Sequence, residues 1–355
     1  MTPRRLSRLL IALPSDRMGG TERHTAELAA RLAARGLAVT LAADPALHPA
    51  LRPLAGSGVA LAALPEDGAR LVAAARPDLA ILPLPWPDAA AGLDRALAGV
   101  TRLILLHLAA EACAPVAMAE DRAAMFAAVS TPLARRAERI FGLAPGRVAV
   151  LPNPGPKPAA ADRALTRATL RQALRLRADA PLTLFVGRLE EAKGAELLPA
   201  VSERLTATLA VAGDGPLRGL LESRAAGDPR GLLRVLGAVA DPTPWFLAAD
   251  ALLLPSRLEG APLVFLEAAA NRLPVVATAA ALEALGEAAP RLARIAAPDP
   301  AALANALAGL LRDPAGAAPM VEAAAAHAAR QDWEGVTARV LTLLRVAACA
   351  GERAA

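Results

Sequence analysis

The chain has 355 residues, 55% of them hydrophobic, and a formal net charge of +5, a length too great for one ordinary core and suited to two α/β domains. Its arginines are scattered among glutamates without a long basic block, which argues against nucleic-acid binding, and no apolar run approaches the length needed to cross a bilayer. The two cysteines, Cys113 and Cys349, stand in no metal-binding or redox spacing and fit a reducing cytoplasm.

The start, Met1-Thr-Pro-Arg-Arg5, passes straight into an apolar stretch, so no signal peptide is expected. Leu9 to Pro14 reads as a first strand. Met18-Gly19-Gly20-Thr21-Glu22-Arg23 then leads into a helix with apolar positions at Leu28, Leu32 and Leu37, and Thr21 is its predicted N-cap. On residue type alone Gly19 and Gly20 serve equally well as a plain tight turn. The run Leu103-Ile-Leu-Leu106 ends in His107, which a parallel sheet would present at a strand's carboxyl end, where ligands of open α/β sheets collect. A histidine there can hydrogen-bond a ligand hydroxyl or stabilise developing charge, or it can be structural.

Arg135, Arg136, Arg139 and Arg147, near Ile140 and Phe141, read as a solvated helix face, with a basic, membrane-facing patch as the alternative. Pro152 to Pro158 is the natural hinge, and the arginine- and alanine-rich stretch 161–180 reads as a linking helix. Leu182-Thr-Leu-Phe-Val-Gly187 is a buried strand followed by Arg188-Leu-Glu-Glu-Ala-Lys193-Gly194, which sets two cations beside one strand end. There they are placed to neutralise an anionic group, Arg188 with the capacity to grip two oxygens at once. Thr208 to Pro216 ends a strand in a glycine-rich turn, where Gly213 lets the backbone approach a ligand.

Ala251 to Ser256 is strand-like, and Glu259 and Glu267 bracket the start of the helix that follows. Pro262 suits the first helical position, leaving free backbone N–H groups from Gly260 through Ala261, Leu263 and Val264. Such an end attracts anions. The two carboxylates lie on the order of 10 Å apart at 1.5 Å per residue, so a diphosphate fits between them. Two solvated glutamates on an amphipathic helix would produce the same letters. Alanine dominates the composition and dilutes helix–strand contrast, so the helix read over Ala296 to Leu311 rests on propensity more than on a marked buried face. Trp333 precedes a last amphipathic helix, Val336 to Val346.

In order and spacing, Gly187-Arg188-Leu-Glu-Glu-Ala-Lys193-Gly194, Ala212-Gly-Asp-Gly-Pro216, Val235-Leu-Gly237 and Asp250 through Thr278 resemble the carboxyl-terminal half of retaining GT-B glycosyltransferases of glycosyltransferase family 4. The pieces Leu254-Pro-Ser256, Glu259-Gly260, Leu266-Glu267-Ala268 and Pro274-Val-Val-Ala-Thr278 stand where that family has them. The Gly19-Gly20 loop, His107, Ala128-Val-Ser130 and Val148-Ala-Val-Leu-Pro152-Asn153 carry weaker echoes in the amino-terminal half. The chain departs from the pattern where Pro154 follows Asn153, where Arg272 stands in place of glycine, and where Ala279 to Glu287 replaces a Gly-Gly loop ending in a glutamate.

The resemblance implies an α/β, GT-B architecture of two Rossmann-like domains with parallel sheets facing across a cleft: 1–160, a linker helix 161–180, a nucleotide-sugar-binding domain 181–330, and a helix 331–355 crossing back. It implies a hexosyltransferase-type enzyme moving a sugar from a nucleotide-diphosphate donor to a carbohydrate or lipid-linked acceptor, with retention, in bacterial polysaccharide or envelope glycan synthesis. In it His107, Arg188, Lys193 and Glu259 act on the reacting groups. Gly19, Gly20, Gly213, Gly237, Gly260, Ala261, Pro262, Leu263, Val264 and Glu267 hold the donor, Glu267 through its ribose. No cofactor is expected beyond the donor substrate. With no Asp-x-Asp triplet present, no metal is expected either, and cations and helix dipoles carry the diphosphate charge. The expected location is the cytoplasm, with peripheral contact at the inner membrane face for a lipid-linked acceptor. A nucleotide-sugar epimerase and a catalytically silent, transferase-like binding subunit are the alternatives. A dinucleotide-dependent dehydrogenase lacks its Gly-x-Gly-x-x-Gly fingerprint.

Overall fold

The structure, a computed structural model, describes residues 7–65, 68–83, 93, 95–108 and 124–352. Met1 to Arg5 and Cys113 lie outside the described residues. Contacts divide the chain into two compact units, Met1–Pro152 with Glu334–Ala355, and Asn153–Trp333.

In the first unit β1 (Arg8–Leu13), β2 (Ala38–Ala43), β3 (Val59–Ala63), β4 (Leu79–Pro83), β5 (Thr101–Leu106), β6 (Ala124–Ala128) and β7 (Val148–Val150) form one sheet in the order β3-β2-β1-β4-β5-β6-β7. Every pair is parallel. Helices on both faces bury such strands completely, which is why β1 reads as an unbroken apolar run and Leu9 to Leu13 are at most 1% exposed. The strand order reverses between β1 and β4, and the crevice outside their carboxyl ends is the place such a sheet offers a ligand.

The second unit repeats the plan with β8 (Leu182–Val186), β9 (Thr208–Ala212), β10 (Leu233–Gly237), β11 (Ala251–Leu254), β12 (Val275–Thr278) and β13 (Arg294–Ala296), in the parallel order β10-β9-β8-β11-β12-β13. Alternate side chains serve its two faces. Leu182, Leu184, Leu252 and Leu254 pack with Phe246 and Phe265 on one side, whereas Phe185, Ala251 and Leu253 pack with Val201 and Leu303 on the other. The order reverses between β8 and β11, which brings the loops after those two strands together.

Several expected boundaries move. The stretch 161–180 forms the helix Arg163–Ala173, and it belongs to the second unit because Asp250 fastens it there. The two Asp250 carboxylate oxygens accept from Arg167 Nη2 at 2.5 Å, from Arg171 Nη2 at 2.8 Å and from Leu182 N at 2.8 Å. Arg171 is buried, so removing its partner strands a charge. Asp250→Ala is expected to cost about 3 kcal/mol, the low end for a buried pair because Asp250 keeps some solvent; urea unfolding of the variant against wild type measures it.

Asn153 also falls in the second unit, so the contact boundary lies at residue 152 and not near 160. The first helix begins at Gly20 with Gly19 as its N-cap, leaving Thr21 inside it, and it stops at Ala34, so Leu37 lies beyond. The stretch predicted over Ala296 to Leu311 is helical from Pro300 to Arg312, capped by the Asp299 side chain, since Ala296 still belongs to β13. The last helix starts at Trp333 itself and runs to Glu352. Among the described residues no helix is long and apolar enough to cross a membrane.

Candidate functional site

In the second unit the ends of β8 and β11 are locked together by backbone. Gly194 adopts a left-handed conformation, φ 69°, and a Cβ there would fall 2.3 Å from the Pro255 carbonyl oxygen. Arg257 N donates to Ala192 O at 2.9 Å. This approach places Lys193 Nζ 2.7 Å from Glu259 Oε1, and Ser256 Oγ donates to the same oxygen at 2.8 Å. Only 11% of the Glu259 side chain and 27% of Lys193 remain exposed. Glu259 Oε2 is uncommitted among the described residues. The cation and the carboxylate, assigned separately from sequence, are therefore one preorganised pair.

Arg188, at the end of β8, points to solvent over 52% of its side chain and pairs with Glu190 at 2.7 Å. Its charge is partly answered before any ligand arrives. Gly213 does not present its amide to a ligand. Its N–H donates to Gly237 O at 2.8 Å, and a Cβ on it would fall 1.8 Å from Gly187 O. Gly187 N in turn donates to Ala212 O at 3.0 Å. These glycines lace the ends of β8, β9 and β10 into one rim, a role in loop packing that requires the missing side chains.

Behind β11 the chain passes through Gly260 and Ala261 into the helix Leu263–Ala270. Pro262 is its N-cap and not its first helical residue, and no side chain caps that end. A proline N-cap brings no hydroxyl or carboxylate to satisfy the first N–H groups, so Leu263 and Val264 lead an end suited to an anion. Glu267, half-buried, lies one turn further in. Beyond the helix Arg272 takes the left-handed conformation, φ 55°, that glycine would adopt without strain. It is accommodated by Leu273 N donating to Ala268 O at 2.9 Å, and its guanidinium pairs with Glu322. After β12 the Thr278 hydroxyl donates to Ser256 O at 2.5 Å and accepts from Ala281 N at 3.1 Å. Thr278, which matches the family pattern, thus ties the end of β12 to the end of β11 and starts the turn into Ala279 to Glu287, the stretch that stands in place of a Gly-Gly loop. Glu283 and Glu287 are exposed within it.

In the first unit His107 follows β5, as predicted, and its ring meets His24 edge-on, with centroids 5.0 Å apart at an interplanar angle of 71°. Burial lowers the His107 pKa from 6.5 to about 4. Burial also holds His24 well below its ordinary value, with His107 and Arg31 adding to the effect. Both rings are therefore neutral at pH 7, and His107 Nε2 has no hydrogen-bond partner among the described residues. Gly19 lies close to the Glu22 side chain: a Cβ there would come within 2.9 Å of a carboxylate oxygen, which a shift of that side chain would relieve. His24 went unread in the sequence although its signal was present. It stands four and eight residues before Leu28 and Leu32, on the buried face of the same helix. In the arginine cluster Arg135 and Arg139 face solvent and Ile140 is half-buried, whereas Phe141 is 5% exposed and packs on Phe126 at 6.2 Å.

Comparison with known proteins follows this division. Residues 18–154 match the family described as Glycosyltransferase Family 4, and residues 180–313 match that described as Glycosyl transferases group 1. Among curated relatives, D-inositol 3-phosphate glycosyltransferase 2 of Catenulispora acidiphila is 32% identical over 220 residues, 56% of this chain and 51% of the relative. The putative teichuronic acid biosynthesis glycosyltransferase TuaC of Bacillus subtilis is 37% identical over 117 residues, 32% of this chain and 28% of TuaC. The chain thus spans about half, or less, of the length of these relatives. The solved structure of Anabaena Alr3699/HepE in complex with UDP and glucose aligns with a TM-score of 0.77 at 20% identity, over 96% of this chain and 100% of that one. The two parallel sheets and this likeness make the fold GT-B. Because the two matches occupy successive halves and together take in most of the sequence, the chain belongs to the group 1 glycosyltransferases of glycosyltransferase family 4.

Proposed function

We propose that the protein is a retaining glycosyltransferase that takes a hexosyl group from a nucleoside diphosphate donor and passes it to a hydroxyl of a carbohydrate or lipid-linked acceptor in bacterial glycan assembly. The observation that carries this reading is the convergence, within one unit, of the Lys193–Glu259–Ser256 cluster and the uncapped end of the helix Leu263–Ala270. The relative named as acting on D-inositol 3-phosphate and the structure holding UDP and glucose support the substrate classes.

In this reading the diphosphate lies against the helix end and Lys193, with Arg188 covering its outer oxygens. Glu259, steadied through Oε1, accepts hydroxyls of the transferred sugar at Oε2, and Glu267 accepts those of the ribose. The bond from the anomeric carbon to the diphosphate breaks as the acceptor oxygen bonds the same face. The acceptor proton passes to the departing phosphate oxygen. Fixed cations take the place of a divalent ion in neutralising that oxygen, so excess EDTA leaves turnover unchanged. A lipid-linked acceptor would draw Arg135 and Arg139 toward an anionic membrane surface by charge alone.

A thermal-shift screen against nucleoside diphosphate sugars tests the reading. The true donor at a hundred times its Kd adds about 2.7 kcal/mol of stability and raises the melting temperature, and a flat profile across UDP, GDP, ADP and dTDP sugars refutes it. The stretch Ala279 to Glu287, in place of a Gly-Gly loop ending in a glutamate, favours a silent binding subunit as the second reading. Donor binding by calorimetry without acceptor-dependent release of nucleoside diphosphate would establish that instead. Release of an isomerised donor without any acceptor would point to an epimerase.

A further inference from the structure

The segment after Pro152 does not hang free. Asn153, 3% exposed, donates through Nδ2 to the Ala261 carbonyl oxygen at 2.7 Å. Two residues on, Gly155 N donates to Gln331 O, and a Cβ on Gly155 would fall 2.1 Å from the Ala328 carbonyl oxygen, so nothing larger fits there. Ala159 N donates to Asn271 Oδ1 at 3.0 Å, Arg163 donates to the Asn271 carbonyl, and Asn271 Nδ2 donates to Glu267 O at 2.9 Å. Residues 153–163 are therefore a strap lying along the helix Leu263–Ala270 and tied to both of its ends.

We propose that Asn153 is a positioning residue for the ligand-binding end of that helix, an inference that rests on reading this end as the donor diphosphate site. Ala261 carries the carbonyl immediately before Pro262, which has no N–H of its own. Held inward by Asn153, that carbonyl keeps its negative dipole away from a bound diphosphate and fixes the peptide from which the Leu263 and Val264 N–H groups emerge. Released, it can turn outward and oppose the anion. Asn153 Oδ1 is buried with no partner among the described residues, an arrangement that opposes folding. The favourable interaction the amide offers is thus the bond to Ala261. Pro154 strengthens the arrangement by confining Asn153 to extended geometry.

The decisive variant is Asn153→Leu, which keeps the number and branching of the side-chain heavy atoms although its methyl groups are bulkier, removes the unmet acceptor and cannot donate; Asn153→Ala accompanies it. Hydrogen–deuterium exchange of the unliganded full chain is followed at the first hydrogen-bonded amides of the helix, those of Phe265, whose N–H donates to Pro262 O at 3.2 Å, Leu266 and Glu267. The proposal expects roughly tenfold faster exchange there in both variants, with β8 and β11 unchanged, and roughly tenfold weaker binding of UDP-glucose and UDP in both, whatever the difference between their melting temperatures. Unchanged exchange at those three amides in a folded variant overturns it. So does a loss of affinity that merely tracks melting temperature across the two variants. Faster exchange in a chain whose wild type binds no nucleoside diphosphate sugar would leave the strap standing and remove the donor reading alone.

Discussion

Lys193→Ala is expected to lower turnover by about two to three orders of magnitude, the range seen when one preorganised donor to a developing oxyanion is lost. Two effects act in the same direction. On the proposed reading the diphosphate loses one of its cations, and Glu259, 11% exposed, is left with the Ser256 hydroxyl as its side-chain hydrogen-bond partner among the described residues. An unpaired carboxylate beside the departing diphosphate raises the barrier further. Arg188→Ala is the instructive comparison. Arg188 is half-exposed and shares its charge with Glu190, so water fills part of its place and the loss should be about a hundredfold or somewhat less. Glu259→Gln keeps the shape and the acceptor toward Ser256 while discharging the site. Placed in the Lys193→Ala background, it should recover part of the lost rate, and a double-mutant cycle on kcat/KM reads the coupling directly. A Lys193→Ala enzyme within threefold of wild type would remove the cation from the mechanism.

The sequence showed the strands that carry the candidate residues, left β2, β3, β4 and β13 unmarked, and showed tertiary pairings poorly, for physical reasons. Strands such as Leu182–Val186 are buried on both faces and are nearly all apolar, and it is their short length, their β-branched and aromatic residues and the glycine that follows, more than periodicity, that mark them as strands. Glycine and charged residues follow at their carboxyl ends, so the candidate loops could be read as loops. What local pattern does not carry is which charge meets which. Lys193 and Glu259 stand 66 residues apart, and Asn153 meets Ala261 across 108. Nothing in the spacing of either pair announces the contact. Read singly, the lysine looks like a phosphate ligand and the glutamate like a sugar ligand, whereas the fold first spends each on the other. Glycine is ambiguous in a similar way. Gly213 reads as a residue that clears space for a ligand, and in the fold it also clears space for the Gly187 carbonyl, a contact no local pattern announces. Helix ends slipped by a few residues because alanine fills helix interiors and flanks alike, leaving caps such as Asp299 as the sharper boundary signal.

His107 offers the second large effect and a pH dependence whose sign follows from burial. On the proposed reading it partners a sugar hydroxyl as a neutral imidazole, and burial lowers its pKa to about 4, so its protonation state does not change between pH 5 and pH 8. His107→Gln retains a hydrogen-bonding group of related reach but sets it at a different angle beside His24, and is expected to reduce kcat by roughly a hundredfold with little change in nucleotide affinity, because the donor's diphosphate is assigned to the other unit. Stability supplies a test independent of activity. In the unfolded chain His107 takes up a proton as pH falls through about 6.5, whereas the folded state resists until about 4. Between those values the unfolded state binds the extra proton, so folding stability declines on acidification, and the buried His24 acts in the same direction. Each ring contributes a slope of at most about 1.4 kcal/mol per pH unit within that window. Urea unfolding at pH 7, 6 and 5 should therefore show a falling midpoint in wild type and a shallower fall in His107→Gln. Equal slopes in the two proteins would mean that His107 is solvated and titrates like a surface histidine, and the neutral-imidazole role would go with it.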